Sequence, residues 1–229
     1  MINLFIQLHN QLENLGDRKI AFVLEGRDAS GKGGFIKSLI KEDVPFTLKH
    51  QGKPTKTRNK SWLSDYAKQM PKKGELVIYD RSWHTRSWVQ PALGFCTRKQ
   101  YLNHISRVKE WEREQEAKGV EIIKNWISIT KEEQSYYLKR RKEFKPYKWS
   151  ETDQKGLELF EKITHYKQRM FLKCPNWNIV RRKNSKEEAK YRLEETIKKH
   201  KNLSNNKYFV ISTPQYINML IFKTLDIIK

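Results

Sequence analysis

The stretch "KIAFVLEGRDASGKGGFIKSLI", Lys19 to Ile40, decides how this chain folds. Its first seven residues are short, apolar and rich in strand formers, the pattern of a strand buried on both faces. Its last six residues place Phe35, Ile36, Leu39 and Ile40 on one helical face. Between the two, Gly26, Gly31 and Lys32 satisfy G-x-x-x-x-G-K. Glycines there let the backbone curl so that successive N–H groups point inward, and the helix behind adds its N-terminal dipole. The expected product is an anion cradle formed by Gly26, Arg27, Ala29, Ser30, Gly31, Lys32, Gly33 and Gly34.

Gly33 stands where such loops carry a Ser or Thr for magnesium. Asp28, inside the loop, is the nearest group able to hold the metal. A carboxylate there would repel phosphate unless a divalent cation lay between them. A second carboxylate, Asp80, ends the apolar run "LVIY" and so falls at the carboxyl edge of a sheet, beside the loop. Arg81 follows at once and Arg86 lies about one helical turn beyond; both suit gripping phosphoryl oxygens. The expected metal pair is Asp28 with Asp80, and the expected catalytic set is Asp28, Lys32, Asp80 and Arg81.

Working outward, "PFTLKH", "ELVIYDR", "VEIIKNWISI" and "WNIVRR" read as four more strands. Leu4, Phe5, Leu8, Leu12 and Leu15 recur at helical spacing before Gly16. Helix starts recur as capping boxes, "TRKQ" at Thr97, "TKEE" at Thr130 and "SKEE" at Ser185, where a hydroxyl and an acid or amide satisfy first-turn N–H groups. Alternating strands and helices predict an α/β fold, a five-stranded parallel sheet inside a three-layer αβα sandwich. One domain is expected over residues 1–200, with the polar "KNLSNNK" opening a C-terminal appendage at 201–229. Trp62, Tyr66 and Trp126 read as core, and His84 as pocket lining.

The 229 residues carry 47 Lys and Arg against 26 Asp and Glu, a net charge of +21. Such a surplus repels itself unless a polyanion is near. Five basic residues and no acid lie between Lys49 and Lys60, and six against Glu143 alone between Lys139 and Lys148. Two cysteines, Cys96 and Cys174, form neither a metal cluster nor a disulfide framework. No signal peptide and no membrane-spanning run are read, so a cytoplasmic location is expected.

Taken in order, "EGRDASGKGG", "KPT" with Trp62 and Tyr66, "MPKKGELVIYDRSW", "GFCT" and "NWISITKEEQ" resemble the type-2 polyphosphate kinase family over most of the chain. The resemblance implies a P-loop kinase fold related to thymidylate kinase. It implies Mg2+-dependent phosphoryl transfer between inorganic polyphosphate and a nucleotide (ADP, GDP or AMP). Asp28 and Asp80 become the metal and catalytic carboxylates, with Lys32 and Arg81 on phosphates. The second basic run matches the place of a P-loop kinase lid, about residues 131–153. Lys53, Lys56, Arg58, Arg86, Arg140, Arg141, Lys145 and Lys148 are then the candidate polyphosphate or lid contacts. A homo-oligomer, dimer or tetramer, is expected, with no membrane and no specific nucleic acid as partner.

The chain departs from the family's pattern at several positions. His84-Thr85-Arg86 stands for Tyr-Asn-Arg, Gln90 for a Glu and Asp65 for an Arg, and a basic stretch ending at Arg58 replaces an acid. These put substrate choice and rate in question. An ATP-using nucleoside monophosphate kinase, and a polyphosphate- or nucleic-acid-binding protein without turnover, stay open as alternatives at this point.

Overall fold

Alternate residues of a strand face opposite sides of its sheet, so a strand buried on every residue must be covered twice. Lys19–Gly26 (β1) is such a strand from its second residue on: Ile20 through Leu24 are all 0% exposed. The computed structural model describes residues 2–41, 44–50, 52–55 and 59–181. Its elements, in chain order, begin with α1 (Ile2–Glu13), β1, α2 (Lys32–Lys41), β2 (Thr47–His50) and α3 (Trp62–Ala67). There follow β3 (Glu75–Asp80), α4 (Thr85–Leu93), α5 (Arg98–Ala117) and β4 (Val120–Ser128). The last are α6 (Lys131–Phe144), a 3-10 turn (Pro146–Lys148), α7 (Glu151–Glu158), α8 (Phe160–Lys173) and β5 (Trp177–Arg181).

All five predicted strands are present, in the order β2-β3-β1-β4-β5, every pair parallel. The chain leaves β1 for the β2 edge, returns to β3 beside β1, then crosses to β4 and β5. That reversal opens a crevice at the carboxyl ends of β1 and β3, the place where such sheets bind ligands. Leu8–Arg182 forms one compact unit.

One core cluster joins Ala21, Val23, Val77 and Tyr79 to Trp62, Tyr66, Trp83, Tyr101 and Trp111. Another joins Trp88 and Leu93 on α4 to Trp126 on β4 and to Ile163 and Met170 on α8. Trp62, Tyr66 and Trp126 are core, as expected. Trp83 meets Tyr66, Tyr79 and Trp111 edge-on, with centroids 5.7, 5.4 and 5.0 Å away. Each such pair adds about 0.5–1.5 kcal/mol beyond the area it buries. Phe35, Ile36 and Leu39 are buried on α2, but Ile40 is 57% exposed, so the apolar face of α2 is narrower than its sequence spacing suggested.

The capping boxes at Thr97 and Thr130 form as read. A third, unread in the sequence, joins Ser150 to Asp153 at the start of α7. Ser185 and the 201–229 appendage lie outside the described residues.

Candidate active site

The loop after β1 is built around one glycine that nothing else can replace. Gly26 has φ +149°, and a Cβ there would stand 2.6 Å from the Ile127 carbonyl oxygen and 2.8 Å from Ser30 Oγ. The chain then passes through Ala29, itself in the left-handed region at φ +62°, to Lys32 at the start of α2. Lys32 Nζ reaches back across the loop to donate to the Gly26 carbonyl at 2.6 Å and the Arg27 carbonyl at 3.0 Å. Burial, with Arg81 adding to it, lowers its pKa to about 8 against the pull of Asp80, Asp28 and Glu25.

Asp80 closes β3, in register with Leu24 on one side and His50 on the other. Its Oδ2 is 2.9 Å from His50 Nδ1. Its Oδ1 is buried with no hydrogen-bond partner among the described residues. Arg81 turns the chain out of the sheet at φ +66°, a conformation few non-glycine residues adopt. Its Nη2 donates to Asp28 Oδ1 at 2.5 Å. Burial pushes the Asp28 carboxyl upward, but Arg81, Lys32 and Arg141 outweigh it and hold its pKa below the ordinary value. Burial likewise opposes the charge on Arg81, and Asp28, Glu25 and Asp80 outweigh it, raising its pKa. Asp28, Lys32, Asp80 and Arg81 thus share one electrostatic field. No group of three or more His, Cys, Asp or Glu suited to a metal occurs among the described residues. Two carboxylates completed by phosphate oxygens is the pattern for magnesium, and the unsatisfied Asp80 Oδ1 fits it.

Helices α6 and α7 approach this centre. A Cβ on Gly156 would lie 3.7 Å from Asp28 Oδ2, so the backbone of α7 runs beside that carboxyl. Arg141 donates to Asp153 at 2.8 Å and adds its charge to the field around Asp28. Lys148, on the surface, is pushed down in pKa chiefly by Lys37 of α2, with Lys145 and Arg141 adding to it. Arg140 turns to the exposed rings of Tyr136 and Phe144, at 5.8 and 5.5 Å. Lys53 is exposed beside the Phe95 ring. Lys56 and Arg58 lie outside the described residues.

Two side chains read as facing ligand, Arg86 and His84, point elsewhere, and so does the side chain of Arg27, whose expected part in the loop is its backbone. The Arg27 guanidinium donates to the Phe160 carbonyl at 2.9 Å and Thr164 Oγ1 at 2.6 Å, over the Phe160 ring. Burial lowers its pKa to about 10. Arg86 is 3% exposed, lies on the Trp62 ring, and donates to both oxygens of Asn59 and to Gln90. His84 is a correction: it lines no pocket, because it is fully buried and bonds Glu112 at 2.6 Å. Sequence reading passed over Glu25 altogether. It is fully buried, and its carboxyl accepts from the Ser82 backbone, Ser82 Oγ, Thr85 Oγ1 and Trp88 Nε1.

The family model for polyphosphate kinase 2 (PPK2) matches residues 2–208. The chain belongs to the polyphosphate kinase 2 family. It is 33% identical over 183 residues to NDP-polyphosphate phosphotransferase 2 of Ruegeria pomeroyi, covering 76% of this chain and 53% of that protein. It is 31% identical over 185 residues to the GDP-polyphosphate phosphotransferase of Pseudomonas aeruginosa, covering 77% and 52%. The chain therefore spans about half the length of these family relatives. The crystal structure of polyphosphate kinase 2 from Arthrobacter aurescens TC1 matches with a TM-score of 0.67 and 20% identity, over 78% of this chain and 69% of that one. At that identity the likeness speaks for the family's P-loop kinase fold.

Proposed function

We propose that the chain is a phosphotransferase moving a phosphoryl group, in either direction, between inorganic polyphosphate and a nucleoside di- or monophosphate. The observation that carries the reading is the Arg81–Asp28 contact beside the unsatisfied Asp80 oxygen, at the mouth of a glycine loop holding Lys32. The names of the relatives, NDP- and GDP-polyphosphate phosphotransferases, support it. A phosphate acceptor is already anionic and needs no general base, so the work is alignment and charge stabilisation. Lys32 and the loop amides hold phosphate oxygens. Arg81, anchored by Asp28, presents the rest of its fork to the moving group. Asp28 and Asp80 would hold Mg2+, which when bound supplies charge neutralisation between phosphates.

Helices α6 and α7 act as a lid. Arg141 beside Asp28, and Lys148 crowded against Lys37, give it a cationic underside suited to a phosphate chain. Closure over the site keeps water from the phosphoryl group. No helix among the described residues is long and apolar enough to cross a membrane. A cytoplasmic location, where nucleotides and polymer meet, and assembly as a dimer or tetramer belong to the same proposal.

Polyphosphate supplied with AMP, ADP or GDP separately, without ATP, tests it. Magnesium-dependent formation of the next higher nucleotide is expected. Asp80→Asn removes that turnover by about a thousandfold while polymer binding changes little. Turnover only with ATP as donor makes the chain a monophosphate kinase, and salt-sensitive binding without turnover makes it a binding protein.

A further inference from the structure

We infer that Glu25 is a positioning residue: its buried carboxyl clamps the turn after β3 and so fixes where Asp80 and Arg81 point. The inference rests on the phosphotransferase reading for its kinetic consequence and on geometry alone for the clamp. Pairing between β1 and β3 ends at Leu24 with Asp80, while β1 continues along β4 as Glu25 with Trp126 and Gly26 with Ile127. Beyond Asp80 the β3 chain therefore loses its ladder partner on β1 while still inside the protein. The Arg81 amide makes one last bond, to the Leu24 carbonyl at 3.2 Å, and the left-handed turn follows.

Glu25 takes over at the next residue. Its Oε1 accepts from the Ser82 amide at 2.8 Å, Ser82 Oγ at 2.9 Å and Thr85 Oγ1 at 3.2 Å. Its Oε2 accepts from Trp88 Nε1 at 3.2 Å. Ser82 Oγ in turn accepts from the His84 amide at 3.1 Å. The first-turn amides of α4 already bond backbone carbonyls, Thr85 to Ser82, Arg86 to Trp83 and Ser87 to His84, so Glu25 holds the segment leading into the helix rather than capping it. A side chain thus takes the place of the missing ladder. Among the described residues, the donors to Glu25 all lie in Ser82–Trp88, the segment beginning one residue after Arg81. With both oxygens so engaged, Glu25 is not itself a ligand; it acts through Arg81. A non-glycine residue in a left-handed turn keeps that conformation only while its surroundings impose it.

The test uses the full chain with Glu25→Gln, Glu25→Ala, Arg81→Ala and the double variant Glu25→Gln/Arg81→Ala. Glu25→Gln is expected to lower kcat by about a hundredfold, with KM for the nucleotide held within about threefold. If Glu25 acts through Arg81, the double variant is no slower than Arg81→Ala alone. Amide hydrogen exchange gives a readout independent of turnover. Glu25→Ala should speed exchange across residues 82–87 and leave α5 unchanged; if that variant does not fold, Glu25→Gln is read instead. Losses that multiply in the double variant, an unchanged kcat, or exchange that is unaltered at 82–87 or raised everywhere, each overturn the inference. A wild-type chain without turnover on polyphosphate removes the proposed function, and the exchange result then decides the clamp alone.

Discussion

Glu25 and Glu112 grip the same stretch of chain, Ser82 to Trp88, with different chemistry. Glu25 receives hydroxyls, an amide and an indole, all neutral donors. Glu112 receives Trp83 Nε1 at 3.0 Å, His84 Nε2 at 2.6 Å and Lys124 Nζ at 2.8 Å. Burial alone would raise the pKa of Glu112; His84 and Lys124 outweigh it and bring it to about 2. None of those Glu112 partners is Asp28, Lys32, Asp80 or Arg81, whereas Glu25 adds charge to the field of both Lys32 and Arg81. Two buried carboxyls can thus brace one segment for different ends. The first sets geometry at the site and the second ties α5 and β4 into the core.

Substitution at the site itself should separate the two carboxyls most strongly. Asp28→Asn should lower kcat/KM at least a thousandfold, about 4 kcal/mol of transition-state stabilisation, with a smaller loss of stability from the broken pair with Arg81. An equal loss of stability would make Asp28 a structural residue. Glu112→Ala should do the opposite. Removing one partner of a buried ion pair costs about 3–5 kcal/mol, read by denaturant unfolding. Glu112→Gln, which folds more readily, should keep kcat within about threefold.

The acid limb sharpens the same contrast. The folded pKa of Glu112 is depressed from 4.5 to about 2, so its contribution is complete above the unfolded value and lost as pH falls from about 5 towards 2. That contribution is about 3 kcal/mol, and Glu112→Gln should lack this part of the pH dependence. Parallel pH profiles for the two proteins would remove the ion pair from the stability of the core.

Much of this was readable in advance because it depends on neighbours in sequence. "KIAFVLE" and "ELVIYDR" carry their burial in their own composition, and the boxes at Thr97 and Thr130 each need only four consecutive residues. The Ser150 box was missed because Asp153 stands where the pattern expects Glu or Gln. The site was half legible: the loop and the strand end declare themselves, but what a side chain reaches for does not. Arg27 finds Phe160 and Thr164, more than 130 positions away, and Glu25 finds Ser82, Thr85 and Trp88. His84 looked like a site residue because it follows Asp80 and Arg81 closely. The left-handed turn at Arg81 intervenes, and His84 goes inward to Glu112.

Lys32 tests the site side of the comparison with a smaller effect. Its folded pKa of about 8 lies below the unfolded 10.5, so between these values the unfolded chain binds the extra proton and stability rises with pH. Phosphate binding needs the ammonium and runs the other way. Affinity for tripolyphosphate should fall about tenfold from pH 7 to 9, with proton uptake on binding near pH 8, both read by calorimetry in buffers of different ionisation heat. Lys32→Arg, which stays charged throughout, should flatten the profile. A wild-type affinity that does not change with pH would place the Lys32 ammonium outside the binding step.

The smallest effect lies at Gln90, on the helix both carboxyls brace. Gln90 is 1% exposed; its Oε1 accepts from Arg86 Nε at 3.2 Å, and its Nε2 is buried without a hydrogen-bond partner among the described residues. A buried donor left unmade costs stability, and the amide gives Arg86 no charge to offset its own burial. Gln90→Glu keeps the acceptor, removes the orphan donor and sets a carboxylate against the guanidinium. The desolvation of the new charge takes back part of the gain, so the expected net is about 1 kcal/mol, a rise of roughly 2–4 °C in Tm. A fall in Tm would mean that the Asn59 oxygens and the Trp62 ring already satisfy Arg86, and that a carboxylate at residue 90 is a second buried charge rather than a partner.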